Sequence, residues 1–358
     1  MSEVEITLLS DLVSIPSFSG DESRAARYLV RWFRRRGLRA YLDEVGNACA
    51  EWGRGDRTIL LLGHIDTVSG QIEVVIEGDT LSGRGSVDAK GPLCAFASAL
   101  GRVAEESMEP DDFRVLLVGA VEEEADTSRG ARHLLRRLAG DNPPEVVIIG
   151  EPSRWEKVTL GYRGVLRGHS LHGTSVSHTG GPEPTAAELA FSGWRDLLDA
   201  VEELNRGERH GLFWRISPRL LSVGSSSDGL GEIARLDFGI RIPPGRTVTE
   251  VRELVREYLG SDVAFNGGEE PYLASKNSVI VRGLLRGIRK CGGKPGFTVK
   301  TGTSDMNIVG PAWNPAVAAY GPGDPLLGHT PKERISLSEY LKAVDVLEET
   351  LIHLLAMG

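Results

Sequence analysis

The sequence has few of the features that mark secreted, membrane or nucleic-acid-binding proteins. It has three cysteines in 358 residues and no Cys-x-x-Cys pair, which argues against a disulfide framework and a thiolate metal site. No apolar run approaches about 20 residues, and the first residues are acidic where a signal peptide would be basic. The net charge is -9, whereas a nucleic-acid-binding surface favours excess Lys and Arg. We therefore expect a cytoplasmic protein with neither a nucleic-acid nor a membrane partner.

Apolar runs that alternate with amphipathic segments fill the first part of the chain. Residues 58–64, 113–120 and 146–149 are continuous apolar runs, which are typical of strands buried on both faces of a sheet. Helical periodicity occurs at 25–36 and again from Gly91 onward. This alternation predicts an α/β domain with a mostly parallel sheet.

The pattern changes after about residue 165. Segments typical of a strand, a helix, two strands, a helix and a short strand follow one another. Thr249 is expected to cap the second of these helices, because threonine is a favoured N-cap residue. The order predicts a small α+β sandwich over 165–271, inserted between 1–164 and 272–358 of a discontinuous first domain.

Polar side chains stand at the carboxyl ends of the three predicted strands. His64 ends the first run, the acids of 122–124 follow the second, and Glu151 follows the third. A lone histidine is more often an ordinary buried residue, but ligands of such sheets gather beyond the carboxyl ends of the strands. His64 and Asp66 point the same way on an extended chain, which suits a metal-ligating imidazole held by a carboxylate.

Two further candidate ligands lie in loops, Asp88 in the glycine-rich stretch 83–91 and His329 near the end of the chain. Imidazole and carboxylate ligands without thiolate suit Zn²⁺, Co²⁺ or Mn²⁺. Two such ions that share a carboxylate can activate water and polarise a carbonyl group. A glutamate that is not a ligand would carry the proton to the leaving nitrogen, so 122–124 offers both a ligand and a base.

Short motifs along nearly the whole chain resemble those of the M20 metallopeptidases. They are GHIDTV, GRGSVDAKG, VEEE, GEPS, GYRG, TGTSD and GHT, in this order. The resemblance implies a zinc-peptidase catalytic domain, with the inserted domain acting as a lid through which a homodimer forms. It also implies two Zn²⁺ ions per subunit, for which Co²⁺ or Mn²⁺ can substitute. The implied ligands are, for one ion, His64, Asp88 and Glu151, and for the other, Asp88, Glu124 and His329.

The resemblance assigns roles to residues beside the ligands. Asp66 would orient His64, and the peptide bond after Asp88 is expected to be cis. The usual family pattern is Asp-Glu-Glu, and Glu122 stands where that aspartate is expected, which makes Glu123 the base. A one-residue slip would instead make Glu122 the base and Glu123 the ligand, because side chains alternate along a strand.

Substrate contacts are also implied by the resemblance. His178 stands where the family lends a histidine to the active site of the partner subunit, where it would stabilise an oxyanion. Arg163 and Arg241 would grip a carboxylate of the substrate, although a structural ion pair is an alternative for Arg241. Thr303 and Ser304 either line the pocket or cap a helix.

Within the family, the compact length and the closing GPGD and LGHTPKE resemble hydrolases that release lysine or ornithine from the LysW amino-group carrier protein. Cationic residues in 128–137 would then help this acidic carrier to dock. Acetylornithine deacetylases, succinyl-diaminopimelate desuccinylases and M20 di- or carboxypeptidases are the alternatives. A non-catalytic relative would lack a ligand or the base, and all of them are present.

Overall fold

A computed structural model of the chain describes residues 2–138, 140, 143–178 and 180–357. The chain divides into two compact units. The first comprises Met1–Gly161, Ala274–Thr298 and Ser304–Gly358, and the second comprises Tyr162–Leu273 and Val299–Thr303.

The helices are α1 Ser2–Ser14, α2 Ser23–Arg35, α3 Lys90–Glu106, α4 Arg129–Arg137, α5 Ala186–Leu204, α6 Val248–Leu259, α7 Val279–Lys290, α8 Met306–Trp313 and α9 Leu337–Leu355. The strands are β1 Arg39–Leu42, β2 Ala48–Gly53, β3 Arg57–His64, β4 Val75–Glu77, β5 Thr80–Ser82, β6 Phe113–Ala120, β7 Val146–Gly150, β8 Lys157–Tyr162, β9 Gly164–Ser175, β10 Ser217–Ser227, β11 Gly231–Ile242, β12 Val263–Phe265, β13 Tyr272–Leu273, β14 Gly296–Lys300, β15 Ala316–Ala319 and β16 Arg334–Ser336. None of the helices within the described ranges combines the length and apolarity needed to cross a membrane.

The large sheet of the first unit has the strand order β1-β2-β6-β3-β7-β15-β8. Its central strands β6, β3, β7 and β15 run parallel to one another, whereas β2 and β8 join it in antiparallel pairings. Alternate apolar side chains of β3 and β6, among them Leu61 and Leu117, belong to one buried core together with those of α3 and α9. The predicted α/β class is confirmed, and the sheet is mixed, with parallel strands at its centre.

The three apolar runs of the sequence are adjacent strands whose ends lie at the same level. His64 pairs with Ala120 of β6, and Gly63 pairs with Gly150 of β7. Glycine is needed at the end of β7, because a Cβ on Gly150 would lie 2.8 Å from Cε2 of Phe96 in α3. The residues that follow these strands are therefore brought to one edge of the sheet.

The second unit contains an antiparallel sheet with the order β10-β11-β9-β12. Alternate residues of β11, from Ala234 to Ile242, are buried in a core shared with α5 and α6. This alternation is the expected pattern for a sheet that is covered on one face. The predicted α+β insert is thus present as a compact unit with its own core.

Three segments are grouped differently from the prediction, which assigned 162–164, 272–273 and 299–303 to the first domain. The contacts place Val299–Thr303 with the second unit. Arg163 explains this grouping, because its backbone N–H donates to the carbonyl of Lys300 and its Nε donates to the carbonyl of Thr301 at 3.0 Å.

The predicted cap of α6 was wrong, because Thr247 rather than Thr249 is the N-cap residue. The Thr247 hydroxyl accepts a hydrogen bond from the N–H of Glu250, and the Glu250 carboxylate accepts one from the N–H of Thr247. Thr249 lies exposed in the first turn.

Replacing Thr247 with alanine is expected to lower the free energy of unfolding by about 1 kcal/mol in urea titrations. Replacing Thr249 with alanine should change it by less than about 0.5 kcal/mol, and equal losses would contradict the assignment.

Candidate metal centre

The five predicted ligands form two overlapping groups within the first unit. His64, Asp88 and Glu151 make one group, and Asp88, Glu124 and His329 make the other. In each group, one ligand atom from every residue lies within 4.8 Å of the others. Asp88 belongs to both groups, as a carboxylate that bridges two ions would.

The carboxylate of Asp88 faces a different imidazole with each of its oxygens. Its Oδ1 lies 3.4 Å from Nε2 of His64, and its Oδ2 lies 3.3 Å from Nε2 of His329. Oε1 of Glu151 lies 3.9 Å from the same nitrogen of His64, and Oε1 of Glu124 lies 2.6 Å from that of His329. The two imidazoles therefore share Asp88, and each has at least one further carboxylate beside it.

The electrostatics of the site fit a divalent cation. Among the described residues, Nε2 of His64 is a buried atom without a hydrogen-bond partner, and it points at the carboxylates. Burial raises the pKa values of Glu123 and Glu151 well above their usual range, and neighbouring carboxylates raise them further. Hydrogen bonds to Asp88 and Glu124 raise the pKa of His329 to about 10. The converging nitrogen and oxygen donors suit zinc.

Asp66 is a fully buried carboxylate that links His64 to the acidic run. Its Oδ1 lies 3.4 Å from Nδ1 of His64 and accepts the N–H of Glu123 at 3.0 Å. Its Oδ2 accepts the N–H of Glu124 at 3.0 Å and the hydroxyl of Ser19 at 2.7 Å. Nδ1 of His64 hydrogen-bonds to the backbone carbonyl oxygen of Asp66 at 3.1 Å, so Asp66 orients a candidate ligand through its backbone and fixes the backbone of the candidate base through its carboxylate.

Glu124 belongs with Asp88 to the group around His329, whereas Glu123 forms a further group with His64 and Glu124. Glu122 has a left-handed backbone with φ of 57°, which ends the alternation of the strand. Its carboxylate pairs with Arg129 at 3.0 Å and accepts the hydroxyl of Thr127 at 2.6 Å, so it is held apart from the imidazoles. Oε2 of Glu123 lies 4.0 Å from Nε2 of His64. The peptide bond between Asp88 and Ala89 is cis, which confirms that expectation.

Two residues near the site were not singled out from the sequence. Ser19 donates a hydrogen bond to the carboxylate of Asp66 at 2.7 Å, a contact that its position in the sequence does not indicate. Glu333 lies in the quoted motif LGHTPKE, but nothing in its spacing distinguishes it from a surface acid, and it is buried against the loop that carries Asp88.

The predicted substrate residues of the second unit lie close to one another. Arg163 is only 6 % exposed, and its guanidinium donates to the carbonyls of Thr301, Leu212 and Arg215 and to the hydroxyl of Ser217. Burial and the nearby Arg241 lower the pKa of Arg163 to about 10. Arg241 is partly exposed and donates to the hydroxyl of Thr303 at 3.3 Å. This pair carries a local positive charge that would favour an anion.

The two remaining predicted residues have local partners. His178 is exposed, and its Nδ1 accepts a hydrogen bond from the N–H of Gly180 at 3.1 Å. Ser304, in the first unit, accepts a hydrogen bond from the N–H of Met306 at 3.2 Å, at the start of α8. The N-cap residue of α8 is Asp305 rather than Ser304, and no contact tests the role of Ser304 toward substrate.

Comparison with known proteins decides the family. The profile of peptidase family M20/M25/M40 matches residues 60–353. The chain belongs to this family. It is 42% identical to the [LysW]-lysine hydrolase of Deinococcus radiodurans, over 97% of this chain and 96% of that protein. It is 33% identical to the [LysW]-lysine/[LysW]-ornithine hydrolase of Sulfurisphaera tokodaii, over 95% of this chain and 94% of that protein.

The M20 fold is also found among solved structures. A tripeptidase from Staphylococcus aureus matches with a TM-score of 0.78 and 17% identity, over 100% of this chain and 99% of that chain. At this level of identity the match shows the fold alone. The M20 assignment confirms the predicted enzyme class, a metallohydrolase that acts on amide bonds.

Proposed function

We propose that this M20 enzyme releases lysine or ornithine from the LysW amino-group carrier protein, in lysine or arginine biosynthesis. The observation that carries the proposal is the 42% identity to a [LysW]-lysine hydrolase along nearly the full length of both chains. The same metal centre would serve any M20 amidohydrolase. The choice of substrate therefore rests on the sequence identity and not on the residues of the site. Docking of the acidic carrier is assigned to the cationic residues in 128–137.

The proposed centre holds two Zn²⁺ ions, for which Co²⁺ or Mn²⁺ can substitute. Their ligands are His64, Asp88 and Glu151 for one ion and Asp88, Glu124 and His329 for the other. Such ions, when bound, polarise the scissile carbonyl group and lower the pKa of water. The sharing of Asp88 between two imidazoles supports a pair of ions rather than a single one.

Glu123 is the proposed proton carrier of the reaction. It accepts the proton of the attacking water and delivers it to the α-amino nitrogen that leaves. Its position suits this role, because Oε2 of Glu123 lies beside the candidate ligands, 4.0 Å from Nε2 of His64. Asp66 keeps the imidazole of His64 in the required orientation through its backbone carbonyl oxygen, and its carboxylate anchors the backbone of Glu123.

The other predicted residues complete the proposal. Arg163, Arg241, Thr303 and Ser304 are assigned to the substrate, with the guanidinium groups toward its carboxylate. His178 is assigned to the oxyanion in the active site of the partner subunit, in a homodimer formed through the inserted unit. The exposure of His178 is compatible with such a role.

The test compares substrates on the purified, metal-loaded enzyme. LysW linked to lysine, LysW linked to ornithine, acetylornithine and succinyl-diaminopimelate are supplied in parallel, with and without a chelator. We expect kcat/KM for a carrier conjugate to exceed that for either small acyl amine by at least about 100-fold, because the site would then be built around the conjugate. Chelator should abolish turnover and added Zn²⁺ should restore it. A higher kcat/KM for a small acyl amine would contradict the proposed substrate. Turnover that is unaffected by metal removal would contradict the proposed mechanism.

A further inference from the structure

A buried carboxylate that the proposed reaction does not use lies directly behind Asp88. Glu333 is 1% exposed. Its Oε1 accepts hydrogen bonds from three backbone N–H groups, those of Gly85 at 3.0 Å, Val87 at 3.1 Å and Asp88 itself at 3.0 Å. A single oxygen of Glu333 therefore binds three backbone N–H groups of the loop that carries Asp88.

The second oxygen of Glu333 binds a largely buried cation. Oε2 accepts a hydrogen bond from Arg84 at 2.6 Å, and the Arg84 side chain is 11% exposed. Nε of Arg84 donates in turn to the carbonyl of Gly70 at 2.9 Å. A buried carboxylate is costly unless it is paired and hydrogen-bonded, and both oxygens of Glu333 meet that condition.

The same residue joins the loop of Asp88 to the segment of His329. Glu333 follows His329 by four residues, and its carbonyl accepts the N–H of Gly83 at 3.3 Å. Immediately after it, β16 pairs with β5. The two segments also approach at Gly328, where a Cβ would lie 3.0 Å from Oδ2 of Asp88. Glu333 thus connects, by hydrogen bonds, the segments of two candidate ligands that are 241 residues apart in the chain.

We propose that Glu333 is a positioning residue for the metal pair. By holding the N–H groups around Asp88, it sets the carboxylate of Asp88 so that one oxygen faces His64 and the other faces His329. Glu333 itself contacts neither imidazole. The inference rests on the proposed metal pair and is independent of which amide is the substrate.

The substitution Glu333→Gln perturbs this arrangement with little change in shape. The amide oxygen still accepts hydrogen bonds from the loop, but the amide NH₂ then faces the N–H groups of Arg84 and cannot accept from them. We expect the loop to shift and the affinity for Zn²⁺ to fall about 10- to 100-fold, the usual effect of losing a partner behind the ligands.

Glu5→Gln is the matched control. Glu5 in α1 is also a buried glutamate that pairs with an arginine, Arg102, at 2.8 Å, with side-chain exposures of 6% and 11%. Its pair lies among α1, α3 and α9, away from the segments that carry the ligands. A purely structural role for Glu333 would make the two variants behave alike.

The experiment measures Zn²⁺ dissociation constants by competition with a chromogenic chelator, together with the visible absorption spectrum of the Co²⁺-loaded protein. Both variants are expected to unfold at lower urea concentration, but only Glu333→Gln should weaken Zn²⁺ binding and change the Co²⁺ spectrum. Zn²⁺ binding within about twofold of the unsubstituted protein, or an equal loss in Glu5→Gln, would overturn the proposal.

A second variant covers the case in which Glu333→Gln does not fold. Glu333→Asp keeps the charge beside Arg84 but is one methylene shorter, so it cannot reach both Arg84 and the three N–H groups. We expect its Zn²⁺ affinity to fall by about 10-fold, and unchanged affinity would overturn the proposal. These readouts need no substrate, so a wrong choice of substrate would leave them unaffected.

Discussion

Replacing Glu123 with glutamine is expected to lower kcat by about 10²- to 10⁴-fold while the metal content stays unchanged. Glutamine keeps the size of the side chain but cannot accept the proton of water. Glu123 lies 4.0 Å from Nε2 of His64, whereas the ligand group around His329 is completed by Glu124 rather than by Glu123. Steady-state kinetics and metal analysis of the same sample measure both quantities.

Glu122→Gln is the matched control for this prediction, because it makes the same change one residue earlier. The Glu122 carboxylate is held by Arg129 and Thr127, so kcat should stay within about threefold of the unsubstituted enzyme. If Glu122→Gln removes activity and Glu123→Gln removes metal, the alternative register is correct. Loss of metal in Glu123→Gln alone would also contradict the role of base.

Replacing Asp88 with asparagine is expected to prevent the two ions from binding together. The amide keeps one carbonyl oxygen, but its NH₂ group is a donor and would face one of the two imidazoles now 3.3–3.4 Å away. We expect the metal content to fall below two ions per chain. The expected loss in kcat is at least about 100-fold, since even partners behind the ligands cost 10- to 100-fold.

Asp43→Asn is a suitable control for the Asp88 variant. Asp43 is also a loop carboxylate with a buried side chain, and its Oδ1 accepts the N–H groups of Val45, Gly46 and Asn47. Asparagine can accept the three hydrogen bonds at Oδ1, but its NH₂ group would face the Nδ2 donor of Asn47, which now donates to Oδ2 at 2.8 Å. Lower stability is therefore expected, with full metal content and activity in the folded enzyme. An Asp88→Asn enzyme that retains two ions would contradict the bridging role.

The strand framework of the site could be predicted because its signal is local. Continuous apolar runs correspond closely to β3, β6 and β7, and parallel strands bring their carboxyl ends to one edge of the sheet. His64, the acidic run and Glu151 follow from that rule alone. Their convergence with Asp88 and His329, which lie in irregular loops, required the family resemblance.

The register of the acidic run could not be predicted from strand alternation. The strand ends at Ala120, and the left-handed conformation of Glu122 removes the two-residue period on which the slip argument depended. What orients Glu123 and Glu124 is the pair of N–H groups held by Asp66, a residue more than 50 positions earlier. Such long-range contacts leave no periodic trace in the sequence.

Other differences have separate physical reasons. The cap of α6 could be predicted from the sequence, since Thr247 and Glu250 have the spacing of a capping box, and the prediction of Thr249 was wrong for that reason. Glu333 was not readable, because its partners are backbone N–H groups of a loop that is distant in the chain. A buried arginine at position 163 needs hydrogen-bond acceptors. The sequence does not show that backbone carbonyl groups of the second unit supply several of them.

The central claim is that residues between positions 64 and 329 hold a pair of divalent cations. Anomalous diffraction from crystals of the zinc-loaded protein, recorded on both sides of the zinc absorption edge, tests it directly. The account predicts two peaks, one among His64, Asp88 and Glu151 and the other among Asp88, Glu124 and His329. A single peak with His329 or Glu151 outside its coordination sphere would contradict the presence of the pair. Zinc bound elsewhere in the chain would contradict it as well.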